Sequence, residues 1–280
     1  MGTGQTGFEL TGAGQAETEM TEAGLMGSGQ MEAMQTGKRR MVAISARLQM
    51  LARMVTPGNR VADVGCDHGF LSIYLVQTGL SPRVVAMDVR KDPLEAAREH
   101  IARWGLGVYI EARQSDGLCE LMPGEAQTVV CAGMGGPLME RILSQSSEKA
   151  KQMKELILQP QSEIPRFRGF LRRAGYLVTD EDMVCEDGKY YFAMRAVHGE
   201  GSFVDLGEDT ERYDKFGEGL LRAGHPVLEQ YLHRQEVLLE RLAGELAAGC
   251  TDRTKKRLGE VRRELRDIRW AFQFFDGKGR

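Results

Sequence analysis

The stretch Arg60-Val-Ala-Asp-Val-Gly-Cys-Asp-His-Gly-Phe70 decides how the rest of the chain is interpreted. Its first half is an apolar run typical of a buried strand, and Gly65 and Gly69 predict a tight turn that leads directly into a helix. A helix that begins at such a turn presents free backbone N–H groups to a ligand. A second apolar run, Arg83–Asp88, follows and ends in an acid. Together these features predict an open α/β sheet that holds a nucleoside cofactor.

Short apolar runs alternate with amphipathic runs from residue 60 to residue 198, which predicts strands that alternate with helices. We expect strands at 60–65, 83–88, 107–112, 127–132, 154–159, 176–185 and 189–197. We expect helices at 69–79, 92–104, 136–146 and 165–174, after a first helix marked by Ile44, Leu48, Leu51 and Val55. The first five strands should be parallel, because helices separate them, and Glu186-Asp-Gly-Lys189 predicts an antiparallel hairpin after them. Five parallel strands and a terminal antiparallel hairpin are the plan of a class I methyltransferase sheet.

Two segments flank this alternation. Residues 1–37 contain five acidic residues and no Lys or Arg, and we expect a disordered leader there because few branched apolar residues are present. Residues 38–200 then form the predicted α/β domain, and 201–280 form a linker and a helical domain. Apolar stripes at 228–246 and 258–272 are separated by a short turn, which predicts an antiparallel, coiled-coil-like helical hairpin. The stripes would also suit a dimer, but the short turn favours a hairpin that folds back on itself in a monomer.

Composition restricts the class of protein. The chain is 42% hydrophobic, yet no apolar run is long enough to cross a membrane, so we expect a soluble protein with no membrane partner. The five cysteines are scattered without a Cys-x-x-Cys pair, which favours reduced thiols in the cytoplasm over disulfides or a zinc site, and no metal is expected. The net charge is −3, but residues 251–280 hold ten basic and five acidic residues. This excess indicates either a polyanionic partner or an ordinary solvated helix face.

Three aspartates follow the predicted strands where a nucleoside cofactor would lie. Asp88, at the end of the second strand, would accept both ribose hydroxyls, and its alternative role is a helix N-cap. Asp116, in Gln114-Ser-Asp-Gly117, would accept a hydrogen bond from an adenine amino group, unless it only forms an Asp-Gly turn. Asp63 either contacts the ligand or orients the loop through backbone N–H groups.

The motif that contains Asp63 is not the dinucleotide fingerprint Gly-x-Gly-x-x-Gly. Asp63-x-Gly65-x-Asp67-x-Gly69 instead resembles the first motif of S-adenosylmethionine methyltransferases, with Asp67 in place of the usual middle glycine. S-adenosylmethionine carries a sulfonium and an ammonium group, so Asp63 and Asp67 are electrostatically suited to its methionine end. Arg47, in the first helix, would contact either the carboxylate of this cofactor or a phosphate.

The fourth strand ends in Val129-Val-Cys-Ala-Gly-Met-Gly-Gly-Pro137, where many amino-methylating enzymes have an Asn/Asp-Pro-Pro sequence. The turn Ala132–Gly136 therefore has no side-chain acceptor for a target amine. A ring nitrogen such as N1 of adenine has a free lone pair and needs no strong base, so Gly133, Met134, Gly135 and Gly136 would only position the substrate. The alternative is a glycine turn needed only for close approach of the backbone to the cofactor.

Five motifs resemble those of the TrmK family of bacterial tRNA (adenine22-N1)-methyltransferases, in the same order along roughly residues 41–280. They are Ile44-Ser-Ala-Arg-Leu48, Asp63–Gly69, Ala132–Gly136, Leu156-Ile-Leu-Gln-Pro160 and Glu186–Tyr190. The resemblance implies a Rossmann-like catalytic domain, a carboxy-terminal coiled coil and methyl transfer from S-adenosylmethionine to N1 of adenosine 22 in tRNA. It also implies that the cofactor is surrounded by Gly65, Asp67, Gly69, Asp88, Asp116, Gly117 and the Ala132–Gly135 turn, which includes Gly133. Val89 is a further candidate for cofactor binding. The alternatives are a methyltransferase of another substrate and a non-catalytic RNA module that binds the cofactor.

Basic and aromatic residues are the candidates for RNA contact. Phosphate contacts are expected from Lys38, Arg39, Arg40, Lys255, Lys256, Arg257, Arg262 and Arg263. Tyr191 or Tyr190 would stack on an extruded base, against the alternative of packing in the core or at the sheet edge. His68 is expected to bond to the backbone of its turn rather than to take part in catalysis, so no catalytic side chain is assigned.

Overall fold

A computed structural model of the 280-residue chain describes residues 41–199, 207–249 and 251–275. In this part of the chain seven strands form one sheet in the order β3-β2-β1-β4-β5-β7-β6. The first five strands pair in parallel, and the last two form an antiparallel hairpin that joins the sheet through β5. The predicted class I methyltransferase sheet is thus confirmed. The strands are β1 (Val61–Val64), β2 (Val84–Asp88), β3 (Ile110–Gln114), β4 (Thr128–Met134), β5 (Glu155–Pro160), β6 (Tyr176–Glu186) and β7 (Lys189–His198).

Ten α-helices accompany the strands in the described residues. Ser45 caps the first helix by accepting a hydrogen bond from Leu48 N at 3.3 Å, and Thr251 caps the last by accepting from Thr254 N at 3.2 Å. The predicted leader, residues 1–37, and Lys38, Arg39 and Arg40 lie outside the described residues. The helices are α1 (Ala46–Met54), α2 (Phe70–Gln77), α3 (Lys91–Arg103), α4 (Gly136–Gln145), α5 (Ser147–Lys151), α6 (Ile164–Arg173), α7 (Thr210–Phe216), α8 (Glu218–Ala223), α9 (Pro226–Ala247) and α10 (Asp252–Phe272).

The sheet is covered on both faces, and for this reason every residue of β1, β2 and β5 is buried. On one face Val64 and Met87 belong to a cluster with Phe167 of α6. On the other face Val61 packs in a cluster with Leu51 of α1. Successive strand residues therefore alternate between two apolar layers, which fixes the register of the strand tips where the predicted cofactor residues lie.

The carboxy-terminal helices pack on the sheet through a third cluster. Met183 of β6 and Phe192 of β7 contact buried residues of α7 to α10, among them Leu232, which is fully buried. Arg269 of α10 pairs with Glu236 at 3.4 Å and with Glu240 at 2.9 Å, both on α9. His233, earlier in α9, contacts Phe272, later in α10, with ring centroids 4.6 Å apart, so the two helices run antiparallel and the predicted helical hairpin is confirmed. The members of the cluster from the tail are Phe216, Leu220, Leu221, Leu228, Leu232, Ile268 and Ala271.

Two predicted segments differ from the structure. The third strand was expected at 107–112, but it runs over Ile110–Gln114, because Val108 and Tyr109 are 83% and 49% exposed in the turn before it. The segment 199–219 was expected to be a linker, but α7 begins at Thr210 and buries Phe216. The third cluster thus crosses the predicted domain boundary near residue 200, and the division of the chain into domains stays a prediction.

Membrane-spanning helices and metal-binding clusters are both absent from the described residues. No helix among them has both the length and the apolarity that a membrane crossing requires. The same residues contain no group of three or more His, Cys, Asp or Glu side chains placed to hold a metal ion.

Candidate active site

The turn between β1 and α2 has the left-handed backbone that its glycines predict. Gly65 and Gly69 have φ angles of 74° and 73°, and Asp67 adopts a φ of 51°. The backbone N–H groups of Gly65 and Cys66 both donate to the carbonyl of Met87 in β2, at 2.8 and 3.0 Å. The turn is therefore tied to the tip of the neighbouring strand. Its left-handed residues keep the chain close to the sheet edge, where a ligand can approach the backbone.

Asp63 lies beneath this turn and is only 4% exposed. Its Oδ2 accepts a hydrogen bond from the hydroxyl of Ser72 at 2.6 Å. Burial raises the pKa of Asp63 to about 6, an effect that the Ser72 hydrogen bond opposes and the nearby Asp88 charge reinforces. Asp63 is thus a buried carboxyl group whose ionisation is unfavourable without a cation nearby. A cationic ligand at the turn would favour its charged form.

Asp67, the residue that replaces the usual glycine, points outward. Its side chain is 62% exposed, and its Oδ1 lies 3.8 Å from Arg90 Nη2 and 3.9 Å from His68 Nε2. The backbone carbonyl of His68 lies 3.0 Å from Nδ1 of His100. Asp67 is therefore available to a ligand, whereas the backbone of His68 is held against α3.

Asp88 is positioned at the end of β2 with one oxygen engaged. Its Oδ1 accepts from the Arg90 N–H at 2.9 Å, and its Oδ2 has no hydrogen-bond partner within the described ranges. The backbone carbonyl of Asp88 accepts from Ser115 N at 3.0 Å, which holds the β3 tip beside it. Val89 follows with its side chain 55% exposed. A buried acceptor beside an exposed apolar side chain is suited to a ribose and the flat base attached to it.

Asp116 follows β3 and already forms an ion pair with an arginine side chain. Its carboxylate lies 3.2 Å from Arg141 of α4, and its side chain is 46% exposed. The next residue, Gly117, has a φ of 59°, and a Cβ there would lie 2.8 Å from Ile142. Glycine is therefore required at 117 for packing as well as for backbone conformation. Asp116 would have to share its oxygens between Arg141 and any adenine amino group.

The β4–α4 turn, Ala132–Gly136, faces the β1–α2 turn. Gly133 has a φ of 77°, and the pairing of β4 with β5 shifts by one residue between Ala132 and Met134. The Met134 methyl group fills the position that a Cβ on Gly65 would take. A Cβ on Gly136 would lie 2.8 Å from the Ser162 carbonyl. The two turns therefore meet at Gly65 and Met134.

Gln159, at the end of β5, organises the other side of this turn. It is fully buried, and its Oε1 accepts from Gly133 N at 3.2 Å and from Arg47 Nη1 at 3.0 Å. The Arg47 guanidinium also lies 5.6 Å from the centre of the Tyr191 ring. One buried amide thus links the predicted cofactor residue Arg47 to the turn and to the predicted stacking residue.

The structure brings most of the predicted site residues to one edge of the sheet. Tyr190 is separated from Tyr191, because it packs on the opposite face with ring centroids 5.2 Å from Tyr231. The partners Ser72 and Arg141 were missed, since hydrogen-bond and ion-pair partners far apart in sequence leave no local signal. Gln161 follows β5 and donates its backbone N–H to the Met134 carbonyl at 2.8 Å. It was also missed, although a polar residue directly after the end of a parallel strand is a signal that could have found it.

The basic residues of α10 lie on an exposed face away from the turns. Arg257 pairs with Glu260 at 2.9 Å and Glu264 at 3.5 Å, so its charge is partly neutralised. Five other basic residues of α10 have no ion-pair partner among the residues that the structure describes. These unpaired residues, called the α10 stripe below, are Lys255, Lys256, Arg262, Arg263 and Arg266.

Residues 44–194 match the model of a family described as a methyltransferase domain, and this match covers more than half of the chain. The chain belongs to this methyltransferase family. A curated relative, the tRNA (adenine(22)-N(1))-methyltransferase of Bacillus subtilis, is 34% identical over 157 residues, which are 56% of this chain and 66% of the relative. The chain thus spans slightly less than two thirds of that relative's length in the sequence match. This sequence match confirms the predicted resemblance to the TrmK family.

Solved structures extend the similarity of this methyltransferase to its carboxy-terminal helices. The B. subtilis M1A22 tRNA methyltransferase TrmK superposes with a TM-score of 0.69 at 26% identity, covering 82% of this chain and 99% of TrmK. The Streptococcus pneumoniae protein Sp1610, solved in complex with S-adenosyl-L-methionine, gives 0.70 at 26% identity, with the same coverage of 82% and 99%. The similarity therefore extends beyond residues 44–194 and covers nearly the full length of both proteins.

Proposed function

We propose that this methyltransferase transfers a methyl group from S-adenosylmethionine to N1 of an adenosine in tRNA, with adenosine 22 as the target. The observation that carries the proposal is the Ala132–Gly136 turn, which faces the predicted cofactor turn and offers no side-chain base. Such a site suits a nucleophile that is already unprotonated, as N1 of neutral adenine is. The activity of the B. subtilis relative, named for N1 of adenosine 22, supports the same choice of substrate.

The residues at the sheet edge fit S-adenosylmethionine group by group. Asp88 would accept the ribose hydroxyls through its free Oδ2, and Val89 would cover the adenine ring. Asp116 would accept from the adenine amino group. Asp63, Asp67 and Arg47 would serve the charged methionine end. Close approach of the backbone is left to Gly65, Gly69, Gly117, Ala132 and Gly133.

Bound there, the cofactor supplies a methyl group made electrophilic by the sulfonium to which it is attached. The lone pair of adenine N1 forms the new bond to the methyl carbon, while the electrons of the broken carbon–sulfur bond remain on sulfur. The base becomes a cation and no proton has to be removed in this step. Gly133, Met134, Gly135 and Gly136 align the reactants, and alignment is the main contribution of the protein to the rate.

The RNA would be held by positive charge and by aromatic stacking. The α10 stripe supplies cations for phosphates, which give affinity rather than choice of sequence. Tyr191, whose ring centre lies 5.6 Å from the Arg47 guanidinium, would stack on the extruded base beside the turn. We also infer that the protein acts as a monomer, because the apolar stripes of α9 and α10 cover each other. We infer that it acts in the cytoplasm, because its cysteines are scattered without a Cys-x-x-Cys pair.

The test is incubation of the protein with labelled S-adenosylmethionine and unmodified tRNA, followed by digestion to nucleosides. We expect the label in 1-methyladenosine and none when adenosine 22 is replaced by guanosine. Label in N6-methyladenosine, or RNA binding without any turnover, would overturn the proposal. Turnover that needs no RNA would indicate a methyltransferase of another substrate.

A further inference from the structure

A cleft opens where the pairing of β5 with β7 ends. The register runs from Leu156–Ala196 to Leu158–Met194, and the last residues of β5 and the first of β7 lie beyond it. The cavity between them has a volume of about 450 Å³ and adjoins the β4–α4 turn through Gln159. It is large enough for a nucleobase. Six of the residues that line it are Gln159, Gln161, Tyr190, Tyr191, Phe192 and Tyr231.

The two glutamines of this cleft differ in their freedom to bind a ligand. Gln159 is fully buried, and its Oε1 is occupied by Gly133 N and by Arg47. Gln161 is exposed, and its side-chain amide has no hydrogen-bond partner within the described part of the chain. Gln159 therefore holds the turn and Arg47 in place, whereas the Oε1 and Nε2 atoms of Gln161 are both available to a substrate.

Gln161 is also held at the right place. Its backbone N–H donates to the Met134 carbonyl at 2.8 Å, which fixes its position against the β4–α4 turn. Its Nε2 lies 3.8 Å from the position of a Cβ built on Gly133. The free amide thus reaches the turn at which, under the proposed function, the methyl group is transferred.

The chemistry of N1 methylation limits how the enzyme can recognise its base. N1 must stay free for the methyl group, so it cannot be used as a hydrogen-bond acceptor for recognition. A glutamine amide forms two hydrogen bonds with adenine at N6 and N7, donating to N7 and accepting from the N6 amino group. This pair leaves N1 uncovered.

We propose that Gln161 is the specificity-determining residue that binds N6 and N7 of the target adenine and leaves N1 directed toward the methyl group. The inference rests on the proposed function and names a recognition contact within it. Tyr191 would stack on the base but accepts any flat ring, so the choice of adenine depends on the amide. Guanine presents an acceptor at O6, where the Gln161 oxygen requires a donor, and is therefore rejected.

The experiment combines a variant with a modified substrate. Wild-type protein and Q161A are compared on tRNA transcripts that carry adenosine or 7-deazaadenosine at the methylated position. For the wild type, loss of the N7 acceptor removes one of the two hydrogen bonds and should lower kcat/KM by about 2- to 13-fold, the range of a single hydrogen bond. Q161A should be slow on both RNAs and should show almost no difference between them. Q152A, at an exposed glutamine after α5, is the matched control and should behave as the wild type.

Calorimetry with S-adenosylmethionine, which should give equal affinity for wild type, Q161A and Q152A, establishes that the variants are folded with the cofactor site intact. An equal sensitivity of Q161A and wild type to 7-deazaadenosine would overturn the role of Gln161, because another group would then read N7. A wild type insensitive to 7-deazaadenosine would overturn it without any variant. Absence of 1-methyladenosine from wild-type reactions would instead refute the proposed function.

Discussion

Asp63 is a residue at which burial and the charge of a ligand act in opposite directions. Its pKa is raised from 3.8 to about 6 in the folded protein, mainly by burial. The native state then binds this proton more tightly than the unfolded chain, so the free energy of unfolding falls as pH rises from about 4 to about 6. The loss is about 3 kcal/mol when Asp63 is fully ionised. A cationic cofactor at the turn would offset that loss by favouring the carboxylate.

The affinity for S-adenosylmethionine should therefore rise with pH. At about pH 5 roughly one tenth of Asp63 is ionised, so binding should be up to about tenfold weaker than at about pH 7.5, with a midpoint near 6. Titration calorimetry at several pH values measures this profile. D63N is the matched variant: it should weaken binding at high pH, remove the midpoint and raise thermal stability at neutral pH. A midpoint that persists in D63N would show that another group titrates.

Gly65 is a second residue whose identity is fixed by contact as well as by backbone. Gly65→Ala would place a methyl group against the end of the Met134 side chain and would hold alanine at a φ of 74°. Gly58 is a matched control, with a φ of 87° and nothing within 4 Å of its Cβ position. Both variants should lose about 1 to 2 kcal/mol of stability through backbone strain.

Only Gly65→Ala should also weaken cofactor binding, by about tenfold or more, since Met134 must move toward the space between the two turns. Calorimetry with S-adenosylmethionine, at a temperature where both variants are folded, separates the two effects. Equal cofactor affinity in the two variants would mean that Gly65 serves only the backbone.

The positions of the site residues could be predicted from the sequence, but their partners could not. Asp63, Asp88 and Asp116 follow strands in a known order, and parallel strands bring their carboxyl ends to one edge. By contrast, Arg141 reaches Asp116 across 25 residues and belongs to a different element. Such pairing depends on how α4 packs against the sheet, which is decided by tertiary contacts.

At the scale of elements, prediction was accurate where burial on two faces leaves long apolar runs and weaker at the edges. β3 lies at the edge of the sheet. Val108 and Tyr109 are exposed apolar residues of the turn before it, and their apolar character placed the predicted start of the strand too early. α7 and α8 are short and lie in a segment rich in glycine and charge. Their few buried residues pack against Met183 and Phe192, and the local sequence does not reveal these contacts.

The α10 stripe is the element for which charge predicts a function. Lys255→Glu with Lys256→Glu should weaken tRNA binding and reduce the slope of log affinity against log salt by about 1 per lost phosphate contact. The control is Lys151→Glu with Lys154→Glu, two exposed lysines beside the opposite end of β5. Filter binding over a range of salt concentrations measures both, and cofactor affinity should stay constant. Equal slopes in the two double variants would exclude α10 as an RNA-binding surface.

At the scale of the whole molecule, the helical tail is bonded to the sheet through buried polar contacts. The buried Arg168 of α6 pairs with Glu181 of β6 at 2.8 Å, and Glu181 also accepts from Gly219 N of α8 at 2.8 Å. Tyr231 of α9 lines the cleft proposed for the target base, and Arg234 of α9 donates to the Gly188 carbonyl at 2.9 Å in the β6–β7 hairpin. The tail thus connects the α10 stripe to the wall of the cleft proposed for the target base.

Loosening this connection should affect RNA methylation without affecting the cofactor. Leu232 is fully buried in the third cluster, whereas Leu238, on the same helix, is 51% exposed. Leu232→Ala should lower the free energy of unfolding by about 2 to 5 kcal/mol, and Leu238→Ala should change it by less than about 0.5 kcal/mol. Below its melting temperature Leu232→Ala should raise KM for tRNA several-fold, because α9 positions Tyr231 and carries α10, while calorimetry should give unchanged affinity for S-adenosylmethionine. A destabilised Leu232→Ala protein with wild-type KM for tRNA would show that the tail contributes stability but does not position the RNA.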